Sequence, residues 1–346
     1  MQCAPCANWN VSFEKPTMNS PVPTLSADQL QQAAQRLGAL RGEMAKAVIG
    51  QQAVIEEVLI ALLADAHVLI EGVPGLGKTL LVKALARTFA GETRRIQFTP
   101  DLMPSDVVGH TLFDAATAHF VTRQGPVFTH LLLADEINRA PAKTQSALLE
   151  AMQEKQVTLE GNTSPLPQPF MVLATQNPIE QEGTYPLPEA QLDRFLLKIR
   201  IDYPGEQEEI ALTRHVTSAK TGADLDVDAV ATLMQPATVV GLQQWAAHVT
   251  LDERVLAYAV AIVRASRDTP GLASGAGPRG PIALVRAARA RALIGGRGFA
   301  TPDDVKAVAL PALRHRVTPT AEAEIEGLTA DELLHSLLER VPAPRL

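Results

Sequence analysis

Apolar residues along this chain follow two patterns, and the change between them marks its organisation. Up to Asp202, short unbroken apolar runs alternate with stretches of helical spacing. The runs are His67-Val68-Leu69-Ile70-Glu71, His130-Leu131-Leu132-Leu133-Ala134, Phe170-Met171-Val172-Leu173-Ala174-Thr175 and Phe195-Leu196-Leu197-Lys198-Ile199, with a further strand near Arg94 to Phe98. Continuous rather than alternating runs suit strands of a parallel sheet covered on both faces. Ser26-Ala27-Asp28-Gln29 resembles a capping box and starts an amphipathic helix to about Lys46. Val48-Ile49-Gly50-Gln51 reads as a turn, and a second helix runs to about Asp65. Pro141, as a first-turn proline, opens a helix to about Glu154. Strands alternating with helices from about Ala45 to Asp202 predict a three-layer α/β/α domain.

Past Asp202-Tyr203-Pro204-Gly205 no convincing strand follows. Helical patterns recur near Glu206–Ser218, Val227–Met234, Val239–Ala247, Asp252–Arg267, Ile282–Ile294, Pro302–Arg316 and Ala330–Arg340, with Gly271–Gly280 as a loop among them. This predicts a smaller, all-helical second domain, without internal repeats. The expected division is a tail over 1–25, an α/β core over 26–205 and a helical domain over 206–346. The tail carries Pro, Asn and Ser without periodicity and is expected to be disordered. Met18-Asn19-Ser20-Pro21 would make a natural start, which would leave 1–17 dispensable. Cys3 and Cys6 form a C-x-x-C, but a second ligand pair and a surrounding βαβ unit are missing, so the pair is read as part of the tail.

Composition narrows the class. Of 346 residues, 46% are apolar and only 4% aromatic, which favours helices packed on a sheet. The formal net charge of -7 leans against a dedicated nucleic-acid binder. The longest apolar stretch, Val58 to Ile70, is interrupted by Asp65 and His67 and is too short and polar to span a bilayer. No basic start precedes an apolar block, so a cytoplasmic protein is expected.

The chemistry enters with Gly72-Val73-Pro74-Gly75-Leu76-Gly77-Lys78-Thr79, which matches the phosphate-binding loop G-x-x-x-x-G-K-[ST]. It follows the His67–Glu71 strand and opens a helical stretch from Thr79 through Leu80 to Phe89, the context the motif requires. Its glycines let backbone N–H groups turn inward as an anion nest, to which the helix N-terminus adds partial positive charge. Lys78 can then reach the β- and γ-phosphates and the Thr79 hydroxyl can ligate Mg²⁺, so ATP and Mg²⁺ are the expected cofactors. Asp135 and Glu136 close an apolar strand: one carboxylate can hold the metal through its water shell, the next can deprotonate the attacking water. Asn177 ends the next strand, where its amide can bond the γ-phosphate or the water; a turn-forming Asn before Pro178 is the alternative. Arg194 precedes the last strand, away from its own nucleotide, and can serve a neighbouring subunit or simply pair with Asp193 or a nearby carboxylate. Arg279 starts a helix in the second domain, where it can fold down on the phosphates or be an ordinary loop arginine.

In this order, these pieces resemble an AAA+ ATPase, most closely the MoxR subgroup. The distinctive strings are Gly72–Thr79, Gln97-Phe98-Thr99-Pro100-Asp101-Leu102 with Pro104-Ser105-Asp106, Ala134–Pro141, Ala174–Pro178 and, most telling, Glu182–Phe195. The resemblance covers roughly residues 26 to 340. It implies a P-loop NTPase core and helical lid, with Lys78 and Thr79 as Walker A, Asp135 and Glu136 as Walker B, Asn177 as sensor 1, Arg194 as arginine finger and Arg279 as sensor 2. Val48 and Ile49 fall where family members contact adenine. A homo-oligomeric ring, usually a hexamer, is implied, as is a partner with a von Willebrand-type domain. Leu112 to Val127 is similar to an insert interrupting the second helix, and Gln156 to Phe170 to a hairpin with Gly161-Asn162 in its turn; both are plain surface loops otherwise. Where relatives carry a small polar or Ala-rich run, Gly275-Ala276-Gly277-Pro278-Arg279-Gly280-Pro281 is expected to hold the arginine loosely. The expected function is ATP-driven, chaperone-like remodelling or maturation of partner protein complexes. A DNA motor using the lid arginines Arg279, Arg286, Arg289, Arg291 and Arg297, a chelatase-type motor subunit, and a nucleotide-gated binding module are the other classes considered.

Overall fold

The computed structural model describes residues 25–73, 75–114, 118–177, 183–217 and 227–345. Pro74, Cys3, Cys6, Met18 and most of the expected tail lie outside them.

The core opens with α1 (Ala27–Ala47), α2 (Gln52–Leu63), β1 (Val68–Glu71), α3 (Lys78–Thr88), β2 (Thr93–Gln97) and α4 (Pro104–Val108). The Ser26 capping box forms as its spacing predicts. A hairpin follows, β3 (Gly109–Asp114) and β4 (His119–Gln124), then β5 (Leu131–Asp135), α5 (Ala142–Glu154), a second hairpin of β6 (Gln156–Leu159) and β7 (Asn162–Pro165), β8 (Met171–Gln176), α6 (Glu189–Leu192) and β9 (Leu197–Arg200). The central sheet has the order β2-β5-β8-β1-β9, every pair parallel. Its strands send alternate residues to two cores. Val68, Ile70, Leu131, Leu133, Met171 and Leu173 face one, with α1, α2 and α3; Leu69, Leu132, Ala134, Val172 and Ala174 face the other, with Leu148, Leu149 and Met152 of α5. Burial on both faces is why the runs are continuous in sequence.

The helical part comprises α7 (Glu206–Thr217), α8 (Pro236–His248), β10 (Thr250–Leu251), α9 (Glu253–Arg267), β11 (Leu272–Ser274), α10 (Arg279–Ile294), β12 (Phe299–Ala300), α11 (Pro302–Leu313), β13 (Thr318–Pro319), α12 (Ala321–Ile325) and α13 (Ala330–Arg340). The interior face of α10 (Leu284, Ala288, Leu293) joins the same buried cluster as Leu40 and Met44 of α1. No helix among the described residues is long and apolar enough to cross a membrane.

Several local expectations change. The 112–127 segment does not interrupt a helix: α4 ends at Val108, the hairpin begins at Gly109, and Gly125-Pro126 stops any helix from resuming before β5. The turn of the second hairpin is Glu160-Gly161, with φ of 49° and 80°, and Asn162 already pairs with Leu159; a two-residue turn of this kind needs both central φ positive. Pro141 caps α5 instead of sitting in its first turn, its ψ of 152° being extended. Residues 227–234 are not a helix, because their backbone is engaged elsewhere. Leu233 and Met234 donate to the Thr88 carbonyl at 2.7 and 3.2 Å, Ala231 donates to Glu43 at 2.9 Å, and Arg87 donates to the Val230 carbonyl at 3.1 Å. The helical part also carries two small ladders, β10 parallel to β12 and β11 antiparallel to β13, too short to leave an alternating pattern.

Candidate nucleotide site and the arginine cleft

The phosphate loop leaves the C-terminal end of β1, between β8 and β9. Gly72 N–H donates to the Gln176 carbonyl at 3.4 Å, and a Cβ at Gly72 would sit 2.8 Å from the Ile201 carbonyl, so only glycine lets the loop pass there. Gly77 adopts φ 76° and hands over to α3, whose first N–H groups open toward the loop. Lys78 Nζ donates to the Gly72 carbonyl at 2.5 Å. Burial lowers the Lys78 pKa, while Asp135 and Glu136 oppose that shift. Gln51, after the Val48-Ile49 turn, donates to the Leu76 carbonyl at 3.2 Å and ties that turn to the loop. Val48 and Leu80 are buried; Ile49, Val73 and Thr79 are half-buried.

Facing the loop, Asp135 ends β5 and Glu136 adopts φ 57°, a left-handed conformation in a non-glycine residue. Thr175 of β8 fixes both: its hydroxyl donates to Asp135 Oδ1 at 2.6 Å and accepts from the Glu136 amide at 2.9 Å. From β2, Arg95 donates to Asp135 Oδ2 at 2.6 Å and to Gln97 Oε1 at 3.0 Å, and Gln97 donates to Glu136 Oε2 at 2.7 Å. Arg139 Nε lies 3.1 Å from the same Glu136 oxygen. Lys78, Thr79, Asp135, Glu136 and Asn177 share with Arg95 and Gln97 the walls of a cleft of about 350 Å³. Thr175, Arg95 and Gln97 carry no motif of their own; their signal is strand spacing, since Thr175 and Arg95 stand two residues before Asn177 and Gln97. The donor set fits Mg²⁺: a hydroxyl and a carboxylate, oxygens only, with Asp135 already facing a cation in Arg95.

Arg194 and Arg279 lie elsewhere. Both line a second cleft with Asp65, His67, Lys155, Arg286 and Arg316. Asp65 and His67 precede β1 and Arg194 precedes β9, so this cleft sits at the N-terminal ends of the strands whose C-terminal ends bear the phosphate loop. Arg194 Nη1 donates to the Leu149 carbonyl at 2.9 Å, while its Nε is buried with no hydrogen-bond partner. The pair with Asp193 does not form: that carboxylate accepts from Arg316 at 2.7 Å and lies 3.9 Å from Arg279 Nε. The Arg279 side chain is exposed, and Gly277 before it stands in open space. Gly280 is buried against Val263, and a Cβ at Gly275 would lie 2.5 Å from the Arg267 amide, so both permit close packing on α9.

A model of the ATPase family associated with various cellular activities (AAA) matches residues 67–197, and one for the AAA lid domain matches 264–337. The chain is 44% identical over 299 residues to the uncharacterized protein YeaC of Bacillus subtilis, covering 86% of this chain and 92% of that one. It is 41% identical to Chaperone MoxR1 of Mycobacterium tuberculosis, covering 88% and 81%, and 33% identical to Protein MoxR of Methylorubrum extorquens, covering 87% and 93%. A crystal structure of a candidate ATPase from Cytophaga hutchinsonii superposes with a TM-score of 0.84 at 39% identity, covering 92% of this chain and 98% of that one. With a phosphate loop in its strand–loop–helix setting, paired acids ending β5 across β8 from it and relatives matched over most of their length, the chain belongs to the MoxR family of AAA+ ATPases, enzymes that hydrolyse ATP.

Proposed function

We propose that this ATPase works as a homo-oligomeric ring, a hexamer, in which each Mg²⁺-dependent active site is shared by two neighbours. The observation that supports this reading is the separation of the two clefts. β1 spans four residues, about 13 Å at about 3.3 Å each, and Arg194 lies beyond its far end from the loop. Arg194 is therefore out of reach of its own phosphates and available to the next subunit's.

In this reading Val48 and Ile49 border the adenine, and Gly72–Thr79 with Leu80 hold the phosphates. Lys78 leaves the Gly72 carbonyl for the β- and γ-oxygens. Mg²⁺, held through Thr79 and Asp135, would supply charge neutralisation on the phosphates. Glu136 exchanges Gln97 and Arg139 for the attacking water and takes its proton, while Asn177 orients that water. Arg194 and Arg279 arrive together from the neighbour, so Arg279 serves the adjoining site and not its own. The chemistry drives chaperone-like remodelling of a partner complex, a reading supported by the mycobacterial relative's being named a chaperone; a protein with a von Willebrand-type domain is the partner class. Three of the five arginines a DNA motor would call on are engaged within the chain: Arg286 donates to the Ala64 and Asp65 carbonyls, and Arg291 and Arg297 to the buried Asp304.

Steady-state ATPase and nucleotide-binding assays test the assignment. Lys78→Ala loses ATP binding; Glu136→Gln binds but does not turn over; Arg194→Ala keeps its affinity and loses about 10³–10⁵ in rate. Mixing Arg194→Ala with Glu136→Gln restores turnover at interfaces pairing an intact Glu136 with an intact Arg194. Wild-type turnover in Glu136→Gln, or a silent mixture, would defeat the shared-site reading.

A further inference from the structure

Arg316 follows α11, and its side chain is only 3% exposed. Its guanidinium reaches out of the helical part to the segment leading into β9. Nε donates to Asp193 Oδ1 at 2.7 Å, Nη2 to the Phe195 carbonyl at 2.7 Å and the Asp193 carbonyl at 3.2 Å, and Nη1 to the Leu196 carbonyl at 3.1 Å and to the Ala312 carbonyl. A desolvated guanidinium is tolerated only when its donors are met, and here every nitrogen has an acceptor. Two of the carbonyls it grips, those of Asp193 and Phe195, belong to the residues on either side of Arg194. They fix the backbone direction from which the Arg194 side chain leaves. The carboxylate it holds is also the one whose other oxygen faces Arg279. One buried cation thus braces two others that line the same cleft, the half-buried Arg194 ahead of β9 and the exposed Arg279 at the start of α10.

We propose that Arg316 is a positioning residue for ATP hydrolysis at the neighbouring subunit's site, acting through Asp193 and the 193–196 backbone on Arg194 and Arg279. This rests on the shared-site reading. Arg316 touches no nucleotide; removing it leaves the chain's own phosphate loop, Asp135 and Glu136 as they are and withdraws the arginines the neighbour needs.

The test is complementation between variants. Arg316→Gln alone loses at least tenfold in turnover, with nucleotide affinity within about twofold of wild type, and Arg316→Lys recovers part of the rate. Mixed one to one with Glu136→Gln, turnover returns, because about a quarter of the interfaces in a randomly assembled head-to-tail ring then pair an intact Glu136 with a correctly held Arg194. Asp193→Asn, which leaves Arg316 its backbone acceptors, gives the same recovery on mixing from a smaller loss and serves where Arg316→Gln does not fold. If Arg194→Ala complements Glu136→Gln while the Arg316 and Asp193 variants do not, those residues act within their own subunit and the proposal falls. If none complements, the shared site itself falls and the proposal with it. Full turnover in a soluble Arg316→Gln overturns it equally.

Discussion

At the scale of single residues, the chain places neutral and charged groups where only one protonation state fits. His67 is buried just ahead of β1. Its Nδ1 accepts from the Val172 amide at 3.0 Å, its Nε2 lies 3.0 Å from the Met152 carbonyl, and its ring meets Phe170 edge-on with centroids 5.7 Å apart. These partners require the neutral ring with its proton on Nε2; a second proton would face the Val172 N–H. Burial, with Lys155 and Arg286 in support and Met152 and Asp65 opposing, lowers the pKa to about 4 from 6.5. The unfolded chain thus binds the proton more readily than the native one, and stability falls with pH between about 6.5 and about 4. The gap of about 2.5 units is worth on the order of 3 kcal/mol when fully developed. His315, also buried and pushed the same way, adds to the slope. Melting temperatures between pH 7.5 and 5 check this: His67→Gln melts lower than wild type at pH 7.5 but loses less on acidification. Parallel curves would remove His67 from the account.

At the scale of elements, the sheet was legible because each strand is buried on both faces, and the phosphate loop because glycine spacing, strand and helix agree. Leu131, Leu132, Leu133 and Ala134 announce a strand that points to two cores at once. What sequence periodicity cannot carry is where backbone groups go. Residues 227–234 have helical spacing yet donate to Thr88 and Glu43, and β10 to β13 are too short to show a pattern. The same holds at the site. Glu136 and Lys78 were readable as motif, whereas Thr175 and Arg95 emerge only once β2, β5 and β8 lie side by side. The β3–β4 hairpin makes the point testable. Gly109 opens it at φ 102°, and a Cβ there would fall 2.2 Å from the Arg123 carbonyl and 2.6 Å from the Gly125 amide. Gly109→Ala is expected to cost about 1–3 kcal/mol locally. Amide exchange over 109–114 and 119–124 should rise sharply while nucleotide affinity is unchanged, since the strain is borne outside the phosphate cleft. Unaltered exchange there would show that the hairpin does not depend on this glycine.

At the scale of the whole molecule, the two clefts at opposite ends of the parallel strands give the chain a direction: phosphate-binding groups at one end, Arg194 and Arg279 at the other. In the shared-site reading one copy meets the next head to tail, and a head-to-tail contact closes into a ring when the rotation allows. If the site is completed that way, turnover depends on assembly and nucleotide binding does not, because Lys78 and the loop glycines belong to one chain. Dilution should then lower turnover per chain while the affinity measured on Glu136→Gln stays constant. Excess Lys78→Ala subunits added to dilute wild type should raise the wild-type rate, since they carry Arg194 and Arg279 without competing for ATP. Turnover per chain that holds steady down to concentrations where light scattering finds only monomers would mean that one chain suffices, and that the buried guanidinium of Arg316 organises its arginines for some other anion than the neighbour's phosphate.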